Sequence, residues 1–218
     1  MIVAVDGPSG AGKSTLGKML AKNLNLLYLD TGAMYRAVAL AVLQRGLDFS
    51  DKVNIAEIAE KANIELIGEP DNLKVFLDGT DVSAEIRTLE AAQAASVVST
   101  ISEVRRIMVD HQRTIGQKDK KGCVLEGRDI GSVVFPETPY KFYIDASEAV
   151  RLSRRHAQGE TDSPLKRDQQ DTTRKTAPLK VARDALVIDT THLSLEDVVT
   201  RVLHHLETQG FTMPHLGA

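Results

Sequence analysis

The chain has 218 residues, 42% of them hydrophobic, which is enough to bury a core but short for two full domains, so one domain carrying an insertion is expected. Its net charge of −3 supplies no basic field toward nucleic acid or an anionic membrane surface. No apolar run approaches the roughly 18–20 residues of a spanning helix, and Met1–Val5 is cut too early by Asp6 to be a signal peptide.

Ile2–Val5 is a short β-branched run and reads as a buried strand. The glycine-rich stretch 7–12 cannot continue it. From Lys13 to Leu24, Leu16, Met19, Leu20 and Leu24 share one helical face. Leu27-Tyr28-Leu29 reads as a second strand ending at Asp30. Met34, Val38, Ala41 and Val42 then mark a second helix, and Ile55, Ile58, Ala59 and Ala62 a third. The alternation breaks at Ile64–Ile67 and Lys74–Leu77, two short strands around Gly68-Glu69-Pro70-Asp71-Asn72 that predict a hairpin and place an insertion at about 63–85. Helical patterns follow over Leu89–Val98 and Val104–Ile115, then a polar loop at Gly116–Gly122. Further strands are expected at Val124-Leu125, Phe142-Tyr143-Ile144 and Leu186-Val187-Ile188. Cys123, the one cysteine, excludes an internal disulfide and fits the cytoplasm; it opens an apolar run and reads as core rather than as a reactive thiol. Ser194 with Asp197 resembles a capping box for a last helix through Leu206, and the tail from Gly210 has no pattern. Strands alternating with helices predict an α/β fold with a parallel sheet.

Gly7-x-x-x-x-Gly12-Lys13-Ser14 meets the phosphate-loop pattern at every fixed position, between a strand and a helix. Glycines let backbone amides turn toward phosphate oxygens, and the helix that follows presents a positive N-terminus. Lys13 is a mobile cation for β- and γ-phosphates, and the Ser14 hydroxyl can ligate Mg²⁺. Gly7, Pro8, Ser9, Gly10, Ala11, Gly12, Lys13, Ser14 and Thr15 are therefore the candidate ATP-binding stretch. A guanine-reading Asn-Lys-x-Asp and a transporter-type Leu-Ser-Gly-Gly-Gln are both missing from the sequence, which leaves a small kinase.

A kinase needs a second phosphate site, and arginines supply one. Arg36 follows Asp30-Thr31-Gly32-Ala33-Met34-Tyr35, and Arg128 lies in Glu126-Gly127-Arg128-Asp129, just past a strand. Ligands of open parallel sheets sit beyond the carboxyl ends of the strands. The 151–175 segment carries seven cationic side chains against four anionic ones, interrupted by Gly159 and Pro164. Arginine forks suit phosphate oxygens, so a basic lid at about 155–175 is expected to close over them. The six histidines have no metal-ligand spacing, and Asp145 at the end of its apolar strand mimics a Mg²⁺-binding aspartate.

Gly-Pro-Ser-Gly-Ala-Gly-Lys-Ser (7–14), Asp-Thr-Gly-Ala-Met-Tyr-Arg (30–36), Glu-Gly-Arg-Asp-Ile-Gly (126–131), Val-Val-Phe-Pro (133–136) and Asp-x-x-Arg-x-x-Ala-Pro-Leu (171–179) together resemble bacterial cytidylate kinases, over nearly the whole chain. The resemblance implies a P-loop NTPase-like three-layer fold, with a central parallel sheet flanked by helices, a small β-containing insertion for the nucleoside monophosphate and a short lid. It implies transfer of the ATP γ-phosphate to CMP or dCMP; Mg²⁺ is expected from Ser14, and a cytoplasmic monomer is expected beside it. It gives Asp145 no part in holding that ion. By the same likeness Arg36, Arg128 and Arg174 would hold the acceptor phosphate. Ser96, Arg105 and Asp129 would read cytosine, with Thr31 nearby at a position often occupied by serine. Arg167 and Asp171 would reach the sugar, Arg151 would lie against adenine, and Arg155 would touch the transferring phosphoryl group. Lys13, Arg128, Arg155 and Arg174 would then be the catalytic cations. Chemistry supports the base assignment: a carboxylate accepts from cytosine N4 and an arginine donates to N3 or O2. Uracil O4 would leave Asp129 facing an acceptor. The stretch between Arg155 and Arg167 is shorter than in many members, which bears on the lid's reach over ATP. A related kinase with another acceptor and an ATP-controlled binding module are the alternative readings.

Overall fold

The computed structural model describes residues 1–157, 159 and 164–211, with the backbone alone at 164–167. A first strand, β1 (Ile2–Asp6), leads through the glycine loop into helix α1 (Lys13–Leu24); β2 (Leu27–Asp30) and α2 (Thr31–Gln44) follow. β1 runs one residue past the apolar run, because Asp6 still pairs with Gly127 and Tyr143. After α3 (Lys52–Lys61), the strands β3 (Ile64–Ile67), β4 (Lys74–Leu77) and β5 (Thr80–Asp81) form an antiparallel sheet of their own. The expected hairpin thus gains a third strand. It turns at Asp78-Gly79, both with positive φ (50° and 81°), as a tight hairpin turn of that composition requires.

The chain continues through α4 (Leu89–Val98), α5 (Ser102–Lys118), β6 (Cys123–Gly127), a π-helical turn at Ile130–Val134, β7 (Tyr140–Asp145), α6 (Glu148–Ala157), α7 (Pro164–Thr173), β8 (Leu186–Asp189) and α8 (Leu195–Thr208). The main sheet is parallel in the order β2-β6-β1-β7-β8. Side-chain alternation assigns its two faces. Val3, Val5, Val124 and Ile144 pack with α1 and α8, whereas Ala4, Leu29 and Leu125 pack with α2, α3, α4 and α5. Both faces are covered, which is why the strands read as unbroken apolar runs. α8 begins with the capping box of Ser194 and Asp197.

The basic segment is more helical than its sequence suggests. α6 and α7 flank residues 158–163, of which 158 and 160–163 lie outside the described residues, as does that part of the expected lid. The patternless tail beyond residue 211 lies outside them too. Among the described residues, no helix is long and apolar enough to cross a membrane.

Candidate active site

The carboxyl ends of β1, β2 and β6 open into one cleft of about 1150 Å³, lined by residues between Ser9 and Val198. Its donor end is the glycine loop. Gly7 has φ 150° and packs so closely that a Cβ would lie 2.0 Å from the Ile144 carbonyl oxygen. Gly12 occupies the N-cap of α1 with φ 98° and no side-chain cap, so the first amides of α1 are left for an anion. Lys13 is 6% exposed and donates Nζ to the Pro8 carbonyl at 2.7 Å. Burial, and after it the Arg128 charge, lowers its ammonium pKa to about 7. Ser14 and Thr15 face the cleft.

Glu126, at the end of β6, was not singled out by sequence reasoning. It is buried, accepts the Tyr28 hydroxyl at 2.5 Å and lies in hydrogen-bonding reach of Ser14. Burial, then Asp30, pushes its carboxyl pKa up. A carboxylate after an apolar strand beside a loop hydroxyl is a donor pair suited to Mg²⁺. That ion takes one or two protein oxygens and draws the rest from phosphates and water. Among the described residues no cluster of three or more His, Cys, Asp or Glu could hold a metal ion.

Three arginines of α6 reach the loop, and only two reach the cleft. Arg155 donates to Ser9 Oγ at 2.6 Å and lines the cleft. Arg151 is turned behind it, donating to Ala146 O (3.1 Å) and Ser9 O (3.0 Å) and pairing with Asp168, whose other oxygen accepts the Ser9 amide at 2.9 Å. Gly7, Pro8 and Arg151 are not part of the cleft wall. Arg154, one of the basic residues of the 151–175 segment that received no individual role from sequence reasoning, is: it donates to Ala11 O at 3.2 Å and Thr190 Oγ1 at 2.9 Å, beside the open face of the loop.

The acceptor end brings most of the expected residues together. Asp30 caps α2 through the Ala33 amide and holds Arg36 at 3.0 Å. Arg128 donates to Asp171 at 2.8 Å, and Arg174 meets the other Asp171 oxygen at 3.1 Å. Asp129 is 5% exposed, 2.5 Å from Arg105 and 3.6 Å from Arg174. Arg105 stacks 5.3 Å over the Tyr35 ring, a residue sequence reasoning left without a role. Burial, then the Arg105 charge, lowers the Arg174 pKa. For Arg105, burial also pulls down, but Tyr35 and Asp129 outweigh it and the net direction is up. Ser96 lines the cleft while its hydroxyl donates back to Ala92 O at 3.2 Å. Thr31 spends its proton on Glu126 O. The Arg167 side chain lies outside the described residues.

A phosphate loop at the switch point of a five-stranded parallel sheet, facing a second cation cluster across one cleft, defines a P-loop kinase. The chain matches the cytidylate kinase family over residues 3–208, and it belongs to that family. It is 46% identical over 211 residues to the cytidylate kinase of Caldanaerobacter subterraneus subsp. tengcongensis, covering 92% of each chain. It is 40% identical over 219 residues to that of Bacillus subtilis, covering 95% of this chain and 97% of the other. Among solved structures, a gluconokinase from Sinorhizobium meliloti 1021 superposes with TM-score 0.51 at 14% identity over 95% of this chain and 91% of its own, a likeness of fold alone.

Proposed function

We propose that the chain transfers the γ-phosphoryl group of ATP directly to the phosphate of CMP or dCMP, giving ADP and CDP or dCDP. One observation carries the reading: the buried Arg105–Asp129 pair at the acceptor end of the cleft that starts at the phosphate loop. It offers donors to N3 and O2 of cytosine and an acceptor to N4. Ser96 can add an oxygen, and Thr31 borders the same end. Arg36, Arg128 and Arg174 hold the acceptor phosphate, whose second pKa near 6 leaves its attacking oxygen largely ionised at neutral pH. No strong general base is then needed; alignment and charge neutralisation remain. Lys13 and Arg155 neutralise the transferring group from the donor side. Mg²⁺, held by Ser14 with Glu126 beside it, would supply further charge neutralisation between the phosphates. Asp171 and Arg167 serve the sugar, and adenine lies toward α6 beside Arg154; Arg151, expected from the resemblance to lie against adenine, instead braces the loop from behind. The protein works as a single domain with the insertion at 63–85 and the lid at 155–175, as a cytoplasmic monomer.

The test is coupled ADP release with CMP, dCMP, UMP, AMP and shikimate. CMP and dCMP should give by far the highest kcat/KM. CMP at the buffer rate, or a preference for another acceptor, would overturn the proposal.

A further inference from the structure

Asp129 stands at the N-cap of the π-helical turn Ile130–Val134, yet its side chain makes no capping bond. An aspartate in that position ordinarily accepts from amides of its own first turn. Here its oxygens are turned to Arg105 and Arg174 instead. The turn lies in the interior, with Ile130 0% exposed, and a buried amide needs a partner. Asp6 provides it. Its Oδ1 accepts the Ile130 amide and its Oδ2 the Gly131 amide, both at 2.7 Å, across more than 120 residues of sequence. The sheet register makes this reach possible, because Asp6 lies opposite Gly127 at the ends of two paired parallel strands. Gly131 permits the approach: a Cβ there would lie 3.1 Å from the Lys141 stem and 3.4 Å from Asp6 Oδ2.

We propose that Asp6 is a positioning residue for the acceptor base: it caps from another strand the turn that Asp129 opens, and so leaves the Asp129 carboxylate free to read cytosine. The inference rests on the base-reading role given to Asp129 above. It also gives one strand end two tasks, since Asp6 directly precedes the glycine loop. The donor loop and the acceptor-reading turn are thereby held to a common point. Burial raises the Asp6 carboxyl pKa to about 6 against the pull of its two amide bonds; Lys13 from α1, Asp129 from the turn and Tyr143 from β7 are the titratable groups that face it.

Asp6→Asn keeps the shape and one acceptor oxygen, but it presents an amide donor to one of the two backbone N–H groups. The nearest replacement cap is Asp129 itself. Steady-state kinetics should then show kcat/KM for CMP falling at least about tenfold and the CMP:UMP ratio falling with it, while KM for ATP stays within about twofold. An equal fall for CMP and UMP, or a KM for ATP that rises as much as that for CMP, would overturn the proposal. The wild-type protein supplies a second arm if the variant does not fold. By NMR, the Ile130 and Gly131 amide protons should lie downfield and move together as pH falls through about 6, and should do so still in Lys13→Met and Asp129→Asn. Amides that do not respond overturn the cap. An Asp129→Asn enzyme with unchanged CMP:UMP preference, and the amide response intact, overturns instead the base reading on which the proposal stands.

Discussion

Asp129→Asn separates the charge of the carboxylate proposed to read the base from its shape. In the wild type that carboxylate is 2.5 Å from Arg105 and 3.6 Å from Arg174, with both guanidinium side chains 4% exposed or less. The amide leaves two buried cations facing each other. Breaking a buried pair costs about 3–5 kcal/mol, and the retained oxygen argues for the lower figure. For a chain of this size each kcal/mol moves the melting point by about 2–4 °C, so Tm should fall by about 6–12 °C. At the base, a charge-assisted bond to N4 becomes a neutral one, a loss of about 1–2 kcal/mol, or roughly 5–30-fold in kcat/KM for CMP. The new Nδ2 can donate to uracil O4, so UMP should lose less than CMP or gain. Coupled ADP release with both acceptors, calorimetric titration of a non-hydrolysable ATP analogue and a melting curve read all three quantities. A folded variant whose CMP and UMP efficiencies fall by the same factor, or whose affinity for the analogue falls as far as its CMP efficiency, would refute the reasoning.

Lys13 gives a proton-linkage prediction. Burial lowers its pKa to about 7, which favours the neutral amine in the free enzyme as pH rises, and phosphates arriving at Nζ favour the cation. Binding the ATP analogue at pH 8 should take up about one proton, measured by calorimetry in buffers of different ionisation enthalpy; Lys13→Met should abolish the uptake and cut kcat by about 10²–10³. The folding sign follows from the same shift. Because the unfolded chain keeps the lysine protonated up to its ordinary value, this group makes stability rise with pH between about 7 and 10. The arginines of α6 should separate by role. Arg154→Met should raise KM for ATP by about three- to tenfold with little change in Tm, whereas Arg151→Met leaves the largely buried Asp168 carboxylate without its cation, a cost of up to about 3 kcal/mol, and should lower Tm by about 6 °C. A large KM effect from Arg151→Met at unchanged Tm would reverse this assignment. Cys123 is fully buried with its thiol pKa pushed up to about 12, so a thiol reagent at pH 8 should label it only after denaturation; rapid labelling of native protein would refute its placement in the core.

The parts of this protein that were legible in advance are local ones. Gly7 to Ser14 is contiguous, and its chemistry follows from spacing alone. Helix α1 shows an apolar stripe, α8 shows that and a capping box, and the central strands are short apolar runs. Two elements fail these tests for identifiable reasons. β5 is two polar, exposed residues, too short for any periodicity, although Asp78-Gly79 announces its turn. The buried face of α6 is made by Arg151 and Arg155, so the helix has no apolar stripe to find.

The sequence by itself points to the loop as the place where a nucleotide's phosphates would meet this chain, and its resemblance to cytidylate kinases offers Arg36, Arg105, Arg128, Asp129 and Arg174 as a second set of candidate ligand-binding residues. Only the tertiary structure decided how those side chains are held. The rotation of α6 sends Arg154 to the cleft and Arg151 behind the loop. The parallel register of β1 and β6 brings Glu126 beside Ser14 and Asp6 beneath the Asp129 turn. A carboxylate's role depends on which amide or cation it meets. Asp6 meets its partners across more than 120 residues, through a sheet register that no local pattern encodes.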